Sequence, residues 1–439
     1  MFDYYLRLAW RRCRQGLPMV ALLTLTMALG IASCMTALTI FRAFSGEPLP
    51  GISPYLYVIT ADGREQPVKG DESYTTPQSY LKLSDAKALV DAHRARRQVA
   101  LAQSYSTVGL TEHTKSEQVS GLMAYGPVLE ALGVPLRFGR PWTQAELASR
   151  VPVVLIDSDL AKKLFGTENA VGRSVTMGKR SFRVIGVVAP WKTHTQFLDL
   201  SRTGGHPFGD DVQFFVPADV ALDADVAPAT TGLCDDVSTV VSFQSTAVSS
   251  CRWIETWVAL DTPAEVRTYQ QFLDGYTETQ HHAGRFVYPP QAKLFGVSDW
   301  MMRNHVVPDD VHLNLMLAGG FLLLCLVNVA GLLAARFLRR QGEVAVRRAL
   351  GASRQQVFVQ HLVETGLLGV LGGLLALPLT WLGLWIVRMQ PVGYAEATTF
   401  NAEVFVILLV LSLAVGLVVG ILPAWRVCRQ PPALQIKLA

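Results

Sequence analysis

The sequence predicts an α-helical membrane protein with four transmembrane helices, plus a large α+β extracytoplasmic domain of two subdomains between the first and second spans. Three observations lead there. Half of the 439 residues are apolar and only 17% are charged, too greasy a balance for an ordinary soluble chain. The apolar residues gather in four windows, 18–44, 313–335, 358–387 and 403–425, each long enough for the ~20 helical residues that cross a bilayer. Between the first two windows lies a stretch of mixed composition, 45–312, large enough to hold its own core.

The first window opens after a short amphipathic pattern. In segment 1–17, Phe2, Leu6, Ala9, Trp10 and Cys13 fall on one side of a helix and Arg7, Arg11 and Arg14 on the other. That suits an interfacial helix that turns at Gly16 and Pro18 into the membrane. The window itself exceeds a signal-peptide core and ends TIFRAFSGEPLP, without a small-x-small cleavage site, so an uncleaved span is expected. Arginine then sets orientation. Arg7, Arg11, Arg12 and Arg14 precede the first span; Arg336, Arg339, Arg340, Arg347, Arg348 and Arg354 follow the second; Arg426, Arg429 and Lys437 follow the fourth. The loop 388–402 has only Arg388 at its edge. The positive-inside rule therefore puts both termini, the segment 336–357 and the tail 426–439 in the cytoplasm, and 45–312 outside the cytoplasmic (inner) membrane.

The outer segment alternates strands and helices. YLYVIT (55–60) reads as a strand, and SDAKALVDAHRARRQ (84–98) as a helix capped by Ser84. VALAQSYSTVGL follows as a strand. VPVVLIDSDLAKKLFG (151–166) gives a buried strand, an Asp-Ser-Asp cap and an amphipathic helix ending at Gly166. RSVTMGKRSFRVIGVVAP (173–190) is a hairpin turning at Gly178-Lys179. DDVQFFVPADVAL is another strand. CRWIETWVAL is a strand leading into a helix that opens near Pro263. Cys234 and Cys251 are the two cysteines of this segment, and an oxidising compartment invites a disulfide between them; two unpaired thiols are the alternative.

The spans carry small residues that permit close helix approach. Ala28, Gly30, Ala32, Ser33, Cys34 and Ala37 lie in the first, and Gly366, Gly369, Gly372 and Gly373 in the third, where Pro378 can bend the helix. The segment GEVAVRRALGASRQQV (342–357) stands apart. Glu343 precedes Arg347 by four, the favourable order on a helix. Gly351 can end that helix in a left-handed conformation, and Ser353 with Gln356 forms a capping box that starts the third span. A short helix, a tight break and a re-entry into the membrane result.

GEVAVRRALGASRQQVFVQHLVETGLLGVLGGLLAL resembles the FtsX/MacB family of ABC transporter permeases, in which an acid, paired basic residues and Ala-Leu-Gly-Ala follow the span after the outer domain. GILPAWRVCRQPPALQIKLA looks like the family's closing Pro-Ala-x-x-Ala and Pro-x-x-x-L pattern, and VPVVLIDSDLAKKLFG…VGRSVTMGKRSFRVIGVV like a MacB-type periplasmic core. The resemblance implies a non-catalytic permease subunit of a MacB-type exporter, driving out a peptide, antibiotic or lipid-like substrate. It implies docking of an ABC ATPase dimer on Glu343, Arg347, Arg348, Ala349, Leu350, Gly351 and Ala352. A second permease (the same chain or a paralogue) is expected beside it, with a periplasmic adaptor and an outer-membrane channel in Gram-negative relatives. The alternative is an FtsX-like signalling scaffold that activates a periplasmic partner and moves no cargo.

Several chemistries are disfavoured. The nearest approach to a Walker A loop, Gly172 to Gly178-Lys179, has one residue too many and Arg180 where Ser or Thr would hold magnesium. No cofactor is therefore expected on this chain, with ATP and Mg on a separate ATPase. No metal site is expected, because adjacent His281 and His282 point apart on a helix. The net charge of +4 comes without a basic binding stripe, which argues against nucleic acid. His361 and Glu364 are read as interfacial residues at the cytoplasmic start of the third span, so a proton relay is not expected.

Overall fold

The computed structural model describes residues 5, 7–11, 16–65, 79–110, 116–193, 195–200, 211–229, 234, 251–339, 342, 346, 350–389 and 402–429. In chain order its elements are α1 (Leu17–Ser45), β1 (Leu56–Ala61), β2 (Tyr80–Leu81), α2 (Leu83–Asp91), β3 (Arg97–Gly109), β4 (Ser116–Tyr125), α3 (Val128–Leu132), β5 (Leu136–Gly139), α4 (Gln144–Ala148), β6 (Val153–Asp157), α5 (Ser158–Phe165), β7 (Ser174–Met177), β8 (Arg180–Val188), β9 (Phe214–Pro217), α6 (Ala218–Asp223), β10 (Ile254–Ala259), α7 (Pro263–His282), β11 (Ala292–Gly296), α8 (Val297–Arg303), α9 (Asp309–Leu338), α10 (Arg354–Arg388) and α11 (Ala402–Arg429). They divide into a sheet unit, 46–306, and a helical unit of residues 1–45 with 307–439.

The sheet unit is one 11-stranded sheet in the order β11-β1-β10-β3-β4-β9-β6-β8-β5, with β2 beside β10. β7 pairs with both β3 and β8, so β3-β4-β9-β6-β8-β7 close into a ring. Side chains alternate between two cores, as the two-residue period of a strand requires. Val99, Leu101, Leu155 and Trp257 enter one; Ala100, Ala102, Ile156 and Val258 enter the other. Burial on both faces explains why Val153–Asp157 is fully buried and why its sequence is an unbroken apolar run. The region 46–306 forms one unit, and one continuous sheet runs through the expected pair of subdomains. β3, 13 residues long, ties the region together: it pairs with β10 and then β7 along one edge and with β4 along the other.

Local chemistry sets several elements. The Asp157 carboxylate accepts from the Leu160 N–H at 2.7 Å and caps α5, which ends at Gly166 with φ +73°. Met177 pairs with Arg180 across the hairpin turn, where Gly178 has φ +56°. Thr262 caps α7, with Pro263 in its first turn. Two boundaries differ from the sequence reading. Ser84 lies inside α2, which begins at Leu83 and stops at Asp91, because Arg97 already pairs with Ala259 in the sheet. The strand in DDVQFFVPADVAL ends at Pro217, and Ala218–Asp223 is helical. Cys234 and Cys251 are joined by a disulfide, with their Cα atoms 4.0 Å apart.

In the helical unit, α9 and α10 each pack along α1 and α11 rather than along each other. Leu23 and Ile31 of α1, Val329 and Leu333 of α9, Leu368 of α10 and Leu408 and Val415 of α11 build the core. The outward faces are apolar too, with Leu313, Leu317, Leu324 and Trp381 exposed; a helix apolar all round belongs in a membrane. α1, α9 and α10 are long and apolar enough to cross one; the described apolar stretch of α11 is Val406–Ile421. Residues 7–11 are also helical, with Ala9 buried and Trp10 exposed.

Candidate coupling site

The segment between α9 and α10 is framed by two well-formed helix ends. Asp309 and Asp310 fill the first turn of α9 and Arg336 its last, which matches the helix dipole at both ends. Gly342 and Val346 are helical and Val346 is exposed. Leu350 is 83% exposed, a large apolar side chain held out at a turn. Gly351 follows with φ +100°, on the left-handed side that only glycine adopts without strain. Ala352 packs back against the bundle core. Ser353 then caps α10: its Oγ accepts from the Gln356 N–H at 3.2 Å, and the Gln356 side chain accepts from the Ser353 N–H at 3.0 Å. Of the expected docking residues, Leu350, Gly351 and Ala352 thus sit at this junction. Glu343, Arg347, Arg348 and Ala349 lie outside the described residues, as does the closing motif beyond Arg429.

Beneath the junction the bundle holds charged residues. Arg336 and Glu364 form an ion pair at 3.2 Å, with side chains only 6% and 2% exposed. The next residue on α9, Phe337, lies 4.2 Å ring to ring from His361 of α10. The interfacial reading of His361 and Glu364 is therefore corrected. Both are 1% exposed, and Glu364 stands ten residues into α10, or ~15 Å along it. Packing explains the difference: α10 buries the face Val357, Gln360, His361, Glu364, Thr365 and Leu368. One basic residue in the last turn of one apolar run, and one acid three turns into the next, was the signal available in the sequence.

Backbones approach closely above this pair. A Cβ on Gly416 would meet the Gly369 Cα at 2.8 Å, and one on Gly420 would run into the Thr365 hydroxyl. Gly30 likewise abuts Cys325, and Gly372 abuts Met27. The glycines of α10 are foreseen from sequence; their partners Ser412, Gly416 and Gly420 are not, although their four-residue spacing is the same device. At the opposite end of the bundle, α1, α9 and α10 line a groove of about 690 Å³ with Ala32, Thr36, Leu317, Phe321, Leu382 and Ile386 among its walls.

The sheet unit has its own buried acid. Glu255 of β10 accepts from the Ser79 hydroxyl at 2.7 Å and from the Asp199 N–H at 3.1 Å, and Tyr80 donates to the Asp199 carboxylate. Burial, then the nearby Asp199 charge, pushes the Glu255 carboxyl up to about 7. His281 and His282 take separate partners, Phe286 and Glu278. No cluster of three metal-ligating side chains occurs among the described residues.

Residues 20–271 match the MacB-like periplasmic core domain, and residues 315–432 the FtsX-like permease C-terminal domain. The chain belongs to the MacB and FtsX-like family of ABC transporter permeases. It is 24% identical over 431 residues to the macrolide export ATP-binding/permease protein MacB of Hyphomonas neptunium, covering 97% of this chain and 59% of that one. The protein of the same name from Rhodopirellula baltica is also 24% identical, covering 94% and 57%. The chain thus spans little more than half the length of these relatives. Among solved structures it is similar to the periplasmic region of MacB from Actinobacillus actinomycetemcomitans, at 18% identity and a TM-score of 0.37, covering 59% of this chain and 96% of that one. In this family the MacB-like part matches most of the sheet unit, and the FtsX-like part holds α9 to α11 and the junction between α9 and α10.

Proposed function

We propose that the chain is the permease subunit of a MacB-type ATP-driven exporter of the inner membrane, and that it works by mechanical transmission. Four spans place both termini and 336–357 in the cytoplasm and the sheet unit outside. A separate ABC ATPase dimer docks on Glu343, Arg347, Arg348, Ala349, Leu350, Gly351 and Ala352, and binds the ATP and Mg that this chain does not. A second permease, the same chain or a paralogue, stands beside it, and an adaptor and outer-membrane channel complete the path. The cargo is a peptide, antibiotic or lipid-like molecule, in keeping with the macrolide export named for the relatives.

The observation that carries this reading is Leu350. Topology asks only for positive charge in this segment. It does not ask for an apolar side chain at 83% exposure immediately before a left-handed glycine and a capped helix that runs into the bundle. Such a residue suits a pocket on a partner protein. A photo-cross-linking amino acid at Leu350, in cells with the full chain, tests it. Capture of an ATP-binding protein, lost on Arg347→Glu with Arg348→Glu, is the expected result. Capture of no ATPase sinks the reading, and recovery of a cell-wall hydrolase on the sheet unit would favour signalling over export.

A further inference from the structure

The coupling segment joins α9 to α10 in sequence, yet these helices run along α1 and α11 rather than along each other. Among the described residues, the Arg336–Glu364 ion pair at 3.2 Å and the Phe337–His361 ring contact at 4.2 Å tie them together near the end where they are joined in sequence. At the opposite end the same two helices stand apart as walls of the 690 Å³ groove, with α1 between them.

We propose that the Arg336–Glu364 pair is a positioning clasp. It ties the last turn of α9 to α10, so that a displacement of either helix at that end reaches both and changes the width of the groove at their far ends. A clasp of this kind differs from ordinary packing. A buried ion pair is poor evidence of stability, since apolar residues of the same volume often stabilise as well or better. What it adds is register, because the attraction is lost unless both groups meet. Breaking such a pair by removing one group costs more than replacing both, so the pair favours the arrangement in which α9 and α10 meet here. The surrounding seam is tight: a Cβ on Gly369 would meet the Gly416 Cα at 2.9 Å, so α10 and α11 move most readily as packed elements.

The clasp rests on the transmission reading above, and its test separates the two. Spin labels carried on unnatural amino acids are placed at Leu338 and Val359, exposed near the clasp, and at Leu313 and Met389, exposed near the groove. The full chain is reconstituted in nanodiscs. Glu364→Gln and Arg336→Gln are each expected to broaden both distance distributions, and the exchange Arg336→Glu with Glu364→Arg to restore the narrow ones. Leu368→Ala, a core truncation nearby, lowers thermal stability without that broadening. Unchanged distances in both single variants overturn the clasp, as does an exchange variant as broad as the singles. ATP with the captured ATPase is then added. If the clasp behaves as stated and ATP moves neither label pair, the transmission reading falls while the clasp stands.

Discussion

Glu255→Gln is expected to remove the Glu255 share of the pH dependence of the sheet unit's stability between about pH 4.5 and 7, leaving the share of Asp157, which burial raises to about 6. The Glu255 carboxyl is 2% exposed and is raised from 4.5 to about 7, first by burial and then by Asp199. At ~1.4 kcal/mol per pH unit, that rise corresponds to about 3 kcal/mol. The sign follows from linkage. The folded state holds the proton more tightly than the unfolded chain, so the contribution is complete below about 4.5 and is lost as pH rises to about 7. Glutamine imitates the protonated group and keeps an oxygen for the Ser79 hydroxyl or the Asp199 N–H. At pH 8 the variant should therefore be the more stable by up to about 3 kcal/mol; at pH 4.5 the two should converge. Denaturant unfolding of the full chain in micelles, followed by the fluorescence of buried Trp253 and Trp257 on either side of residue 255, reads this directly. A wild type whose stability is flat from pH 5 to 8, or a variant that is weaker at pH 8, would refute the argument.

Other outcomes can be checked alongside. Cys234→Ser with Cys251→Ser removes the disulfide and should cost ~3 kcal/mol in the chain-entropy view, read as a lower melting temperature that added reductant reproduces only in the wild type. Gly416→Val would drive a side chain into the Gly369 backbone and should destabilise the bundle by ~1–3 kcal/mol or more, seen as loss of the monodisperse peak in detergent. Ser353→Ala deletes one half of the capping box and should cost ~1 kcal/mol, detected as faster amide exchange confined to the first turn of α10.

Much of the fold was legible because its signals are local. Asp157, Gly166, Gly178, Thr262 and Ser353 each act within a few residues of themselves, so a cap or turn is written where it occurs. The apolar windows are equally explicit, since a bilayer imposes length directly. The failures are non-local. Nothing near Ser84 reveals that the backbone at Arg97 is claimed by Ala259, so the helix is read too long. Two subdomains are inferred because the strand that unites them, β3, looks in sequence like any other. The candidate site divides in the same way. The Leu350-Gly351-Ala352 break and the Ser353 cap are readable, while the joining of Arg336 to Glu364 depends on which face α10 buries, and only the packed bundle determines that.

The register of β1 has a consequence for how the chain is made. Leu56 pairs with Ala259, and Ala61 pairs with Ala292. Within this sheet, the earliest strand must therefore wait for the last two before it has a neighbour. At ~5–20 residues per second, those ~200 residues take ~10–40 s to synthesise. Throughout that interval an apolar strand has both edges bare. Closure of the sheet thus comes only when nearly all of 46–306 has emerged, so biogenesis of this protein should depend on chain-holding factors more than its final stability would suggest.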